Sequence, residues 1–154
     1  MENYHKVIKG FLKENNINAS QIVLAESCHS VEEAAKAINA SIDEFVKNIC
    51  MVDSEGRLIV AVVKGKDRAS TSRVGKVLKI DRPRLATEEE VLRHTGFPAG
   101  GVPSFGFEAS FLIDSKVAEL KCIYTGGGSP YSLIKMNVEE MVQINGGQVG
   151  RIRK

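Results

Sequence analysis

The sequence predicts an α/β fold of the α+β kind: a single domain over residues 1–154, with a mixed, largely antiparallel sheet and packed helices. Three observations carry this. The chain has 154 residues, 43% of them hydrophobic and 26% charged, enough for one domain and too few for two comfortable ones. Short apolar runs alternate with helical patterns that begin on Ser, Thr, Asp or Asn, the punctuation of a mixed fold. Two consecutive apolar runs flank Asp53-Ser54-Glu55-Gly56, which reads as a hairpin with a four-residue loop. A chain of this size buries roughly 70% of its unfolded surface, so it needs no disulfide or metal to stay folded.

The elements follow in order. Tyr4, Val7, Ile8, Phe11 and Leu12 form one stripe with lysines opposite, predicting an amphipathic helix over 4–12 that ends at Asn15-Asn16. Ile22-Val23-Leu24 reads as a short buried strand. Ser30 with Glu33 makes a capping box for a helix over 31–38, and Ser41 with Glu44 repeats it before a strand over 45–52. The second hairpin strand covers 57–63. Residues 70–78 look helical, and Thr87 with Glu90 caps a helix through His94. The glycine- and proline-rich segment 96–106 is loop. Strands at 111–113 and 122–124 enclose a short turn of helix capped by Asp114. Gly126-Gly127-Gly128 is a loop, followed by a strand to Met136 and a helix from the Asn137 cap through Val142. No internal repeat, low-complexity linker or domain boundary interrupts the series.

Composition excludes several function classes. The 21 basic and 19 acidic side chains leave a net charge of +2, neither a bulk polycation nor an acidic disordered tail. Tryptophan is absent and aromatics are 6%, against a platform of stacked bases. The start Met1-Glu2-Asn3-Tyr4-His5-Lys6 lacks the apolar run of a secretory signal, and the stretch 58–63 is too short to span a bilayer. No membrane association is expected, and cytoplasm is the default compartment. Cys28, Cys50 and Cys122 are odd in number and form no CxxC; Cys50 and Cys122 sit in apolar runs as inert thiols. His5, His29 and His94 have no metal or triad spacing, and no phosphate-binding glycine motif follows a strand. No metal or other cofactor is expected.

Three features remain that carry chemistry. Alternation in the strand over 45–52 puts Phe45, Lys47, Ile49 and Met51 on one face and Val46, Asn48, Cys50 and Val52 on the other. Lys47 is either an edge lysine that snorkels to water or a pocket-wall cation holding an anionic or carbonyl group. Gly100-Gly101-Val102-Pro103-Ser104 is either a surface turn or a backbone nest for an oxyanion or phosphate. Gly126-Gly127-Gly128-Ser129-Pro130 is a second loop of that kind. Two glycine loops with one strand lysine are more specific than any one of them. The third feature is charge: between Lys64 and Arg84 stand eight basic side chains against Asp67 and Asp81, a local excess of six. Arg73, Lys76 and Lys79 fall near one helical face, a phosphate-facing stripe or a solvated surface. Arg151, Arg153 and Lys154 add a second basic segment.

In this order the residues resemble the YbaK / prolyl-tRNA synthetase-associated domain family of aminoacyl-tRNA editing domains. The resemblance rests on the helix Ser30-Val31-Glu32-Glu33-Ala34-Ala35-Lys36-Ala37, then Phe45-Val46-Lys47, Gly100-Gly101-Val102-Pro103, and Ile123-Tyr124-Thr125-Gly126-Gly127-Gly128-Ser129. It spans approximately residues 22–144. It implies a compact barrel-like mixed sheet and hydrolysis of the ester joining a mischarged small amino acid to tRNA, without a metal. It makes Lys47, Gly100 and Gly101 the catalytic positions. Val102, Pro103, Gly127, Gly128, Ser129 and Ser30 become substrate-binding, and Arg73, Lys76 and Lys79 tRNA-binding. Its partners are mischarged tRNA and an aminoacyl-tRNA synthetase. Two departures bear on specificity: Ser104 stands where the family often has proline, and Pro130-Tyr131-Ser132-Leu133 offers no acid or imidazole after the last glycine loop. Ser30, Ser129 and Tyr131 are candidate polar groups of the pocket, or simply cap and turn residues. A non-catalytic tRNA- or nucleotide-binding module, or a synthetase-associated interaction module, is the alternative, and Lys47 discriminates between them.

Overall fold

A computed structural model describes residues 4–28 and 30–154; His29 and the first three residues lie outside it. Helix α1 (Tyr4–Glu14) leads through β1 (Ala19–Val23) to α2 (Val31–Ala37), whose Ser30 cap accepts a hydrogen bond from the Glu33 N–H. A single 3-10 turn (Ile42–Glu44) then delivers the chain to the hairpin β2 (Val46–Val52) and β3 (Leu58–Lys64). Next come α3 (Thr71–Leu78), β4 (Arg84–Leu85), α4 (Glu88–Thr95) and β5 (Ser110–Asp114). The series closes with α5 (Ser115–Ala118), β6 (Cys122–Gly126), β7 (Ser132–Asn137), α6 (Val138–Asn145) and β8 (Gln148–Gly150).

These strands make two sheets. One is antiparallel, in the order β1-β7-β6; the other is mixed, in the order β4-β2-β3-β5-β8, with β5 parallel to both β3 and β8. A parallel bridge between Phe45 and Tyr124 joins them. The barrel-like expectation is therefore met loosely, by two linked sheets and not by a closed barrel. Between them lies the main core, where Val46, Cys50, Val60 and Val62 meet Ile123, Ile134 and Met136. The outer face of the five-stranded sheet is covered by α3, with Val74 packed among Met51, Ala61, Val63 and Leu112. Strand β3 is thus covered on both faces, which explains its unbroken Leu-Ile-Val-Ala-Val-Val run.

The elements fall where the sequence pattern puts them, with three differences. Strand β1 starts at Ala19 because it is an edge strand, paired on one side only with β7, and tolerates Ser20 and Gln21. Strands β4 and β8 carry no alternation signal; they exist only through pairing with β2 and β5. Helix α6 runs on to Asn145 and stops at Gly146, which takes the left-handed conformation at φ 65°.

One buried charge organises the far end of the five-stranded sheet. Asp114, fully buried, caps α5 and accepts hydrogen bonds from the Ile152 and Arg153 N–H groups. It also pairs with the Arg153 guanidinium at 3.1 Å. Burial opposes the carboxylate charge, but the N–H donors of Ile152, Lys116 and Arg153 and the guanidinium outweigh it and hold the carboxyl below its ordinary value. The stabilisation is present above the ordinary carboxylate pKa of about 3.9 and is lost as pH falls through the depressed folded value. Asp114→Ala should cost about 3 kcal/mol in urea unfolding at neutral pH, because Arg153 loses its partner in a largely buried site. The gap to wild type should close as the pH is lowered below the ordinary carboxylate range.

Candidate active site

A cavity of about 270 Å³ opens at the start of β2. Its apolar wall comes from Val31 and Ala34 of α2, Phe45, and Leu133 of β7. Its polar wall comes from Lys47 and Asn48, the 99–102 backbone, Thr125, Ser129 and Ser132. Six of the residues singled out from sequence meet here: Lys47, Gly100, Gly101, Val102, Ser129 and Ser30. Pro103, Gly127 and Gly128 do not line it; they stand in the buried layer behind. Among the described residues Lys47 is the one charged side chain on the lining, with no carboxylate or imidazole beside it.

The glycines are required first by their own packing. A Cβ on Gly101 would sit 2.3 Å from the Ser129 nitrogen, and one on Gly126 would sit 2.3 Å from the Val102 carbonyl oxygen. The two loops therefore lie backbone against backbone, tied by the Gly128 N–H donating to the Gly101 carbonyl at 2.7 Å. Gly128 has φ +102°, and a Cβ there would meet Tyr4 and Ile8 of α1 within about 3 Å. This packing refines the role of the loop amides. The Gly101 N–H already donates to the Pro98 carbonyl, and the Gly127 N–H to that of Ser132. The N–H groups of the lining residues Ala99, Gly100, Val102 and Ser129 have no acceptor among the described residues.

A residue that the sequence reading passed over holds the first loop in place. Asn48 Nδ2 donates to the Val102 carbonyl and to Thr125 Oγ1, both at 2.8 Å. Ser104 Oγ donates to Asn48 Oδ1 at 2.7 Å and lies 2.8 Å from Thr125 Oγ1. With its proton committed to Asn48, Ser104 accepts the hydroxyl hydrogen of Thr125, closing a ring of three hydrogen bonds. Ser104 and Thr125 are almost wholly buried, so each unmade bond would cost about 1–3 kcal/mol. The ring also accounts for Ser104 standing where proline is frequent: a proline could not donate to Asn48. The signal was available, since Asn48 interrupts an apolar face of β2 and only a buried partner makes that tolerable.

The other candidates sort by contact. Ser30 Oγ caps α2, and Ser129 Oγ accepts the Tyr131 N–H at 3.2 Å, so both are cap or turn residues that also border the cavity. Tyr131 is exposed and off the lining. Cys28 borders the cavity, and burial followed by the charges of Glu33 and Glu26 pushes its thiol pKa up. Burial pushes the Cys50 thiol up to about 11, and Cys122 is half-buried on β6. These thiols are poor nucleophiles where raised. No cluster of three metal-ligating side chains occurs among the described residues. Arg73, Lys76 and Lys79 are exposed on and just after α3, away from the lining and in no ion pair among the described residues. Lys47 pairs in register with Val63, which packs with Val74 of α3. Its side chain therefore starts from the face of the sheet that α3 covers.

A family model for the aminoacyl-tRNA editing domain matches residues 25–144. The proline–tRNA ligase of Thermotoga neapolitana is 28% identical over 98 residues, which cover 64% of this chain and 17% of the ligase. The uncharacterised protein YwhH of Bacillus subtilis is 24% identical over 125 residues, covering 80% of this chain and 79% of YwhH. The crystal structure of a candidate trans-editing enzyme for prolyl tRNA synthetase superposes with a TM-score of 0.91 at 25% identity, over 100% of this chain and 99% of that one. The chain thus spans a small part of the ligase it matches and most of the other two proteins.

The packing of the loops predicts unequal glycines. A Cβ on Gly100 meets nothing closer than Pro130 Cγ at 3.5 Å, so Gly100→Ala should melt with the wild-type protein. Gly101→Ala must force two backbones apart and should lower stability by about 2–4 kcal/mol, read by thermal or urea unfolding.

Proposed function

The chain belongs to the aminoacyl-tRNA editing domain family, and we propose that it is a deacylase. Its substrate is tRNA mischarged with a small uncharged amino acid, and it acts as a single domain in trans to a prolyl-tRNA synthetase. The observation that carries the reading is the pairing of one cation, Lys47, with unoccupied backbone donors on the rim of one cavity. An aminoacyl ester is already activated, so a positioned water needs modest help. Water adds to the ester carbonyl, and the tetrahedral oxyanion is met by the N–H groups of Gly100 and Val102. Collapse releases the amino acid, and the water proton passes to the departing ribose oxygen, with the neighbouring ribose hydroxyl as relay. Lys47 holds oxygen or phosphate charge of the tRNA terminus beside the scissile bond.

The remaining lining supports the choice of substrate. Val31, Ala34, Phe45 and Leu133 offer an apolar wall to the aminoacyl side chain. No carboxylate on the described lining would pair with a cationic one, and Lys47 would repel it. Pro103, Gly127 and Gly128 contribute from behind, by fixing the loops that present Val102 and Ser129. The exposed Arg73, Lys76 and Lys79 take the phosphates of the tRNA body. This substrate places the reaction in the cytoplasm.

Two measurements test the reading. Lys47→Ala should lower kcat for deacylation at least ~10²-fold, the scale of losing one preorganised charge donor, while tRNA affinity at fixed salt changes less than threefold. Equal loss of binding and turnover would instead make Lys47 a general anchor. Replacing Arg73, Lys76 and Lys79 together with alanine should weaken tRNA binding and flatten its logarithmic salt dependence by about 2 to 3, at roughly 0.7–0.9 per phosphate contact. An unchanged slope would leave the stripe a solvated face.

A further inference from the structure

The two basic segments, far apart in sequence, meet in the fold. The Ser70 N–H donates to the Ile152 carbonyl at 2.7 Å, Ala69 bridges Arg153 in antiparallel fashion, and the Lys154 N–H donates to the Arg68 carbonyl at 2.8 Å. Residues 151–154 thus run back along 68–70, directly before α3. Arg82 reaches the same place, with its Nε donating to Thr71 Oγ1 at 2.7 Å.

The three cations of the closing segment have different duties. Arg153 is the anchor: its side chain is 18% exposed and is spent on Asp114 and Ser115. Ile152, fully buried, fills the core beneath α3 beside Val74. Arg151 and Lys154 are exposed and form no ion pair among the described residues, and the same holds for Arg68. Other cations of the 64–84 stretch are neutralised locally, Lys66 by Asp43 and Arg84 by Glu90. Arg68, Arg151 and Lys154 therefore adjoin the exposed and likewise unpaired Arg73, Lys76 and Lys79 where α3 meets residues 151–154.

We infer that Arg151, Lys154 and Arg68 form a second phosphate-contacting patch that extends the α3 stripe and receives the tRNA backbone. Asp114 fixes that patch by holding Arg153. The inference rests on the tRNA partner proposed above, and two of its three residues, Arg151 and Lys154, lie outside the family-matched segment 25–144. A flexible polyanion with one charge per nucleotide fits a surface of dispersed cations without a closed pocket.

The test is binding of uncharged tRNA by the full chain across a salt series, so that hydrolysis plays no part. Arg151→Ala/Lys154→Ala should melt with wild type and weaken binding about fivefold at low salt. Its logarithmic salt slope should be less steep by about 1.5, at roughly 0.7–0.9 per lost contact. A slope identical to wild type overturns the inference while leaving the tRNA reading intact. Wild-type protein that fails to bind tRNA at all overturns both. If heparin retention falls in the double variant but tRNA affinity does not, the patch binds polyanions of another kind and the inference fails.

Discussion

The site depends on one contact between backbones: the Gly128 N–H meets the Gly101 carbonyl at 2.7 Å, with no room for a Cβ on Gly101, Gly126, Gly127 or Gly128. Two loops, one leading from α4 to β5 and the other from β6 to β7, can approach this closely only if neither carries side chains at the crossing. Once they do, the Val102 carbonyl is placed where Asn48 can reach it, and the Asn48–Thr125–Ser104 ring locks strand to loop. Helix α1 closes the arrangement from behind through Tyr4 and Ile8 against Gly128. The cavity is the space left on the other side, and its free N–H donors are those this packing does not consume.

Such a site suits a substrate that brings its own reactivity. The described lining offers one ammonium and several backbone amides, a set that stabilises developing negative charge but has no side chain placed to abstract a proton. Electrostatic stabilisation with positioning is sufficient for an ester. The same economy explains why the cations outside the cavity matter. Surface ion pairs contribute little to stability, so the unpaired lysines and arginines around α3 have more to offer a phosphate backbone than the fold.

Most of the fold was legible because its signals are local. The capping box at Thr87 and the hairpin around Asp53–Gly56 act within a few residues and form as their spacing requires, while at Ser30 only half of the expected box forms, the Glu33 N–H donating to Ser30 Oγ. Strands β4 and β8 were not legible, since their identity comes from neighbours distant in sequence. Lys47 and the glycine loops were legible as a combination, but the reason for the glycines was only half visible. Their spacing suggested room for a ligand, whereas at Gly101 and Gly126 the room is taken by the opposing loop. Asn48 shows the reverse case, a polar residue in an apolar strand whose buried partners lie more than fifty residues away. The charge average of +2 concealed both the local excess around α3 and its junction with residues 151–154.

Cleavage of aminoacyl esters on tRNA, the reaction proposed for this cavity, is read by incubating the purified protein with a full panel of mischarged tRNAs and following release of the amino acid. Release above the spontaneous rate is expected for one or more small uncharged amino acids, alanine, cysteine, serine or threonine, and none for cationic ones. Absence of accelerated release across the whole panel would contradict the proposed reaction.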